Sequence, residues 1–206
     1  MWGLVESGSI TKLINNQKWL VIGDVRYSRK IFELWSKSEL EAKGIYEVEF
    51  NNSNRKDDRW YINTNQSFAF AGGKITASYG TATAKAHADT LWTSQDKTDG
   101  LIPDGKDVGD VKVEGLKTVL IRNVKAQAAQ ILQDTDWYIV RKADAGTAVP
   151  SAITTHRAAV RTKAAEMETA ITNASDTPAL ETLHTYTEQE DKSVTRPLGE
   201  LPRLES

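Results

Sequence analysis

The chain has 206 residues, with 26 basic and 28 acidic side chains, a formal charge of -2 and no cysteine. That length fits one domain or two small ones, since domains most often run about 100–150 residues. The missing cysteine excludes disulfides, thiolate zinc sites, iron–sulfur clusters and cysteine nucleophiles, and the charge excludes the basic surplus of a general nucleic-acid binder. No run approaches the roughly 20 apolar residues needed to cross a bilayer. Met1-Trp2-Gly3-Leu4-Val5-Glu6 has neither the positive nor the long apolar region of a signal peptide. Synthesis in the cytoplasm is therefore expected, with neither nucleic acid nor membrane as a partner. Leu, Ile, Val and Phe together number 45, just above the roughly one-fifth level at which chains stop folding, so the core should be thin.

Alanine divides the chain. Only Ala42 of the 22 alanines falls in the first 68 residues, whereas four of the six tryptophans do. Alanine favours helix and aromatic residues favour pleated surfaces, so the expected class is α+β: a strand-rich N-terminal domain with one short helix, then a helical domain built on a helical hairpin. The expected boundaries are a small α+β domain over 1–82, a helix and Gly/Asp-rich linker over 83–112, a helical module over 113–190, and an extended tail over 191–206.

In chain order, Trp2–Glu6 and Ile10–Ile14 flank Ser7-Gly8-Ser9 and read as a hairpin. Leu20-Val21-Ile22 is a short apolar run stopped by Gly23-Asp24. Ser36 and Glu39 have the spacing of a capping box, with Gly44 as the left-handed stop of a helix of about two turns. Ile45–Phe50 alternates, placing Tyr46, Val48 and Phe50 on one face and Glu47 and Glu49 on the other. Asn51–Asp58 is a polar loop. Trp60–Asn65, Ser67–Phe70 and Lys74–Thr81 read as strands, the last two joined through Gly72-Gly73. Thr83–Gln95 has helical composition, and Asp96–Asp110 reads as a loop. A long helix is expected from about Val113 to Leu132, a second from Pro150 to about Asn173, and a short one over Pro178–Thr187 capped by Asp176 or Thr177. From Asp191 the chain has two prolines and no periodicity, and should be ordered only against a partner.

A search for chemistry returns little. His87, His156 and His184 are scattered and read as surface or capping residues. Counting an EF-hand from Asp104 puts Lys106 and Val108 where oxygen ligands belong. Gly72-Gly73-Lys74 lacks the other residues of a P-loop, and no nucleophile elbow occurs. Asp57-Asp58 sits among Arg55, Lys56 and Arg59 as neutralised surface charge, and Trp60-Tyr61 reads as core packing more readily than as a base-stacking platform. No catalytic, cofactor or metal site is expected, nor any enzyme activity. Thr135 or Asp136 should cap a turn after the long helix, with Trp137 burying the corner between helices.

That corner carries a resemblance. Leu132, Asp134-Thr135-Asp136-Trp137, then Arg141, Gly146, Val149-Pro150, and finally His156-Arg157-Ala158-Ala159-Val160-Arg161 resemble a module of tailed bacteriophages. The module is similar to the tail assembly chaperone and tail-fibre assembly family, in which a Thr-Asp-Trp motif ends one helix and a Tyr-Arg-x-x-(Leu/Val)-Arg motif lies on the next. His156 stands where that family has tyrosine, and the match covers about 30 residues. Ile31-Phe32, Leu34-Trp35-Ser36, Glu39-Leu40, Ala42 and Gly44-Ile45-Tyr46 also resemble the N-terminal part of such proteins, marine phages included. The resemblance implies a virion structural protein of the tail, baseplate or fibre-attachment region, made in the host cytoplasm and working by contacts with other virion proteins. A tail or fibre assembly chaperone not retained in the virion, or a head decoration or connector protein, is also consistent with it. The residues expected to serve interaction or structure are Trp35, Ser36, Glu39, Gly44, Tyr46, Asp136, Trp137, Arg141, Pro150, Arg157 and Arg161. Arg157 and Arg161 share a helical face, and Ala158, Ala159, Ala164 and Ala165 leave room for another helix to approach. A homo-oligomer or an assembly-dependent fold is expected, because small domains bury little surface alone.

Overall fold

The computed structural model describes residues 1–15, 19–64 and 66–204. It is α+β, strands first and helices after, in two compact units, Met1–Thr83 and Ala84–Ser206.

In the first unit β1 (Trp2–Glu6) and β2 (Ser9–Ile14) form an antiparallel hairpin. Ser7 and Gly8 both take positive φ, 51° and 78°, the tight turn whose twist matches the flanking strands. The apolar run at Leu20 is itself half of a hairpin, β3 (Trp19–Ile22) with β4 (Val25–Ser28). A turn of helix not expected from the sequence, α1 (Ile31–Leu34), precedes α2 (Lys37–Glu41). The capping box of α2 is complete: Glu39 Oε2 accepts from the Ser36 amide at 2.8 Å, and Ser36 Oγ accepts from the Glu39 amide at 3.3 Å. Gly44 follows with φ of 76°, pressed so close to β1 that a Cβ would lie 2.5 Å from the Val5 carbonyl oxygen.

Next come β5 (Ile45–Asn51), β6 (Tyr61–Ile62), β7 (Gln66–Ala71) and β8 (Lys74–Tyr79), the last two turned by Gly72-Gly73. The five-stranded sheet has the order β2-β1-β5-β8-β7, antiparallel except where β5 runs parallel to β8. One sheet face packs Leu4, Ile14 and Ile45 against Leu20, Ile31 and Leu40. The other gathers Val48, Ile75 and Ala77 with Phe68, Phe70 and Tyr46. Gly3 sits where the Ile75 side chain crosses its strand, leaving no room for a Cβ. Phe50 does not join Tyr46 and Val48 in the core, because it stands near the open end of β5 and is 49% exposed. The strand expected over Trp60–Asn65 shrinks to Tyr61–Ile62, with Asn65 outside the described residues. Its start is a turn instead, in which the Trp60 and Tyr61 amides both donate to Asp57 O, and both rings are buried.

The second unit begins at the two-residue β9 (Thr83–Ala84), whose first residue still belongs to unit one, and continues with β10 (Thr90–Leu91), α3 (Ser94–Thr98) and β11 (Val111–Val113), which pairs with β10. Of the helix expected over Thr83–Gln95 only Ser94 and Gln95 are helical, as the start of α3, and the physical reason is the start of α4 (Leu116–Gln133). The Leu116 and Lys117 amides donate to the carbonyls of Ala86 and His87, and Asp89 Oδ1 accepts from the Gly115 amide at 2.7 Å. Carbonyls held in a local helix could not serve this distant terminus, so satisfying the exposed amides of α4 outweighs the propensity of the alanines. Gly115 lies against the Ala88 carbonyl with no space for a Cβ. Because β11 claims its expected start at Val113, α4 begins at Leu116.

Beyond α4 come α5 (Asp136–Ala145), α6 (Ser151–Asn173) and α7 (Thr177–His184), with Asp176 capping α7 through the Ala179 amide. α4 and α6 pack antiparallel, since Lys117 Nζ reaches Thr172 O near one end and Arg157 reaches Leu132 O near the other. The inner face of α6 is Ile153, Val160, Ala164, Met167 and Ile171. The tail differs from its expected partner-dependent state: β12 (Thr187–Glu188) and β13 (Val194–Thr195) form a hairpin, and Leu198 buries itself as its amide bonds Leu183 O. An apolar side chain within reach of its own unit's core is ordered there without a partner.

Gly115→Ala should lower the unfolding free energy by about 1–3 kcal/mol, because the new methyl meets backbone that cannot rotate away. Urea unfolding followed by circular dichroism measures it, and wild-type stability in the variant would mean that α4 starts without the Ala86–Asp89 clamp.

Candidate interaction site at the Thr-Asp-Trp corner

The corner is assembled from the end of α4, the start of α5 and the middle of α6. Thr135, φ -116° and ψ 4°, breaks the chain between the two helices and is buried. Its hydroxyl donates to Leu132 O at 3.0 Å, so it serves the end of α4, and neither it nor Asp136 caps an amide of α5 as the sequence suggested. Arg157, on α6, enters this corner. Its Nη1 donates to Leu132 O at 2.7 Å and to Thr135 Oγ1 at 2.6 Å, while Nη2 donates to Asp136 Oδ1 at 2.8 Å. The cation thus lies where the dipole of α4 is negative, and it holds a carboxylate at the positive start of α5. With its side chain only 8% exposed, Arg157 is a structural tie and not a surface contact. Its Nε is enclosed without an acceptor.

The indole does not fill the corner. Thr135 and the Arg157 side chain take that volume, and Trp137 is 52% exposed. It lies beside Tyr138, ring centroids 4.0 Å apart, with the Arg141 guanidinium 4.6 Å from its centroid. Such a cation–aromatic stack at a solvent-facing site contributes about 0.5–1 kcal/mol. Arg161 shares a face with Arg157 yet is exposed, its Nη1 only 3.5 Å from the Arg157 carbonyl. Pro150 opens α6, accepting from the Thr154 amide, and His156 is buried. Of the four alanines expected to make room for a neighbour, Ala164 faces the core while Ala158, Ala159 and Ala165 stay outside.

The N-terminal residues singled out from the sequence, Trp35, Ser36, Glu39, Gly44 and Tyr46, all lie in the first unit. Trp35 meets Tyr27 edge-on at 5.4 Å, and Tyr46 lies 4.7 Å from Phe70. Ser36, Glu39 and Gly44 are committed to shaping α2. These positions are explained by packing and capping, and the structure does not gather them into a common surface.

Two carboxylates that sequence reasoning passed over organise the second unit. Asp96 binds Lys112 Nζ at 2.6 Å and completes a capping box with Thr93. The lysine bond and then the Thr93 hydroxyl and amide hold its carboxyl down to about 2. Asp89 is lowered by the Gly115 amide and then the Thr118 hydroxyl. The signal for Asp96 was present as Thr93-x-x-Asp96, a capping box in its aspartate form. Among the described residues no three acid or histidine side chains gather where a metal could sit, and no helix is long and apolar enough to cross a membrane.

Trp137→Ala should change stability by less than about 1 kcal/mol, the value of an exposed aromatic stack. Arg157→Met should cost about 2–3 kcal/mol, because it leaves the half-buried Leu132 carbonyl and the buried Thr135 hydroxyl short of a charged donor. Thermal melts of the two variants decide, and the reverse ranking would place the indole in the corner. Since Asp96 titrates lower folded than unfolded, its contribution is complete above about pH 4 and disappears as pH falls toward about 2. Melting temperatures taken across that window should fall more steeply for the wild type than for Asp96→Asn, and parallel curves would remove Asp96 from the acid response. A scan against protein-family models and searches of curated proteins and of solved structures give no match to this chain.

Proposed function

We propose that this chain is a bacteriophage virion structural protein of the tail, baseplate or fibre-attachment region, acting through contacts with neighbouring proteins, copies of itself included, and not by catalysis. One observation carries the reading. The two segments on which the sequence resemblance rests, Thr135-Asp136-Trp137 and His156–Arg161, are bound to each other through Arg157. Residues about twenty apart that a motif would conserve together therefore have a common physical task, holding α5 at a fixed angle to the helical pair. The task is compatible with a part whose function is shape: the buried polar groups of the corner are spent on the chain's own helix ends, while Trp137, Ile139 and Val140 face outward. Aromatic residues with arginine are the side chains that dominate binding energy at protein interfaces.

Mass spectrometry of purified phage particles tests the proposal. The chain should be found at a fixed stoichiometry with the tail proteins. Its presence in infected cells but absence from finished particles would overturn the virion role in favour of an assembly chaperone, and copy number scaling with the capsid would place it on the head.

A further inference from the structure

α5 is ten residues long and buries none of them. Helices shorter than about 12–15 residues are marginal in water unless packing holds them, and α5 is anchored at its first residue, where Asp136 meets Arg157. Trp137, Val140, Arg141 and Asp144 recur at the spacing of one helical face, on which Trp137 is 52% and Val140 65% exposed. Arg141 rests on the indole with its Nε enclosed and without an acceptor. Among the described residues neither Arg141 nor Asp144 forms an ion pair. An apolar ridge thus carries one unmatched positive and one unmatched negative charge, three residues apart.

We infer that α5 is a self-association surface, packing antiparallel on α5 of a second copy of this chain. The charges select that occupant. A two-fold axis between Arg141 and Asp144 sets each arginine against Asp144 of the partner subunit, so both unmatched charges of both copies are used at once. With one charge of each sign related by that axis, this face is its own complement. The same axis sets Val140 against the partner subunit's Ala145, a large side chain on a small one. The corner fixes where α5 starts, because Arg157 holds Asp136, so the first turn is already placed before pairing. This inference rests on the reading of the chain as an assembly component, but it concerns the isolated chain and is tested on it.

Sedimentation velocity of the full chain over about 1–100 µM reads the association, since a self-associating species shifts with concentration. The wild type should form a two-chain species. Arg141→Asp or Asp144→Arg alone sets like charges opposite one another and should weaken association at least about tenfold. The two together should recover most of that loss. Val140→Glu, exposed and outside the charge pair, should weaken it without rescue, and circular dichroism checks that helix content is unchanged in each variant. A monomer throughout the range, a dimer indifferent to the single changes, or a double variant no tighter than the singles would each overturn the proposal. A chain that is monomeric in solution yet stoichiometric in particles overturns α5 pairing alone, whereas a chain that dimerises through α5 yet is absent from particles overturns the virion role alone.

Discussion

The helical unit depends on where one buried guanidinium goes. Arg157 lies in the register of the inner face of α6, between Ile153 and Val160, where an isolated cation would be expensive to bury. It is tolerated because a carbonyl at the end of α4, the Thr135 hydroxyl and the Asp136 carboxylate all turn toward it. The exchange is mutual. Without the arginine, the Leu132 carbonyl would keep only backbone amides and the threonine hydroxyl, the buried Thr135 hydroxyl would lose its charged donor, and α5 would lose the contact that holds its start.

The other end of α4 is treated in the same way by different chemistry. Its first amides are met by the Ala86 and His87 carbonyls and the Asp89 carboxylate, reaching in from a segment some thirty residues earlier. The central helix of the unit is therefore clamped at both termini by residues remote in sequence, an acceptor cluster at its positive end and a cation at its negative end. Contrast the first unit, where α2 is closed by its neighbours Ser36, Glu39 and Gly44. Local closure and remote closure satisfy the same groups, and only the first leaves a pattern in a short window of sequence.

This economy explains why the exposed part of the corner is available for contacts. Once Thr135 and Arg157 fill the space between helices, nothing inside remains for the indole to occupy, and Trp137 joins Tyr138 and Arg141 on the outer surface. Interior polar groups maintain the angle, while exterior apolar ones face the surroundings. That division of labour suits the assembly role proposed for the chain.

The α+β class, the hairpins at Ser7-Gly8 and Gly72-Gly73, the capping box of α2, and α6 and α7 were legible because each rests on residues close together: positive φ at a turn, a Ser-x-x-Glu spacing, or an apolar repeat of three and four. Arg157 was half legible. Its motif was visible, and its place in the apolar register of α6 marks it as inward, but a charged residue is assigned to a surface until its partners are known. Three features were decided by tertiary structure alone. Thr83–Gln95 has the composition of a helix, yet only its last two residues enter one, because the Ala86 and His87 carbonyls are needed at the start of α4. Leu198 anchors a tail that has no periodic signal, because its side chain is buried and its amide reaches the Leu183 carbonyl at the end of α7. Trp137 faces outward, because two smaller neighbours reach the corner first. Local sequence specifies what each segment favours in isolation; competition among distant groups for the same hydrogen bonds and the same volume decides which preference is overruled.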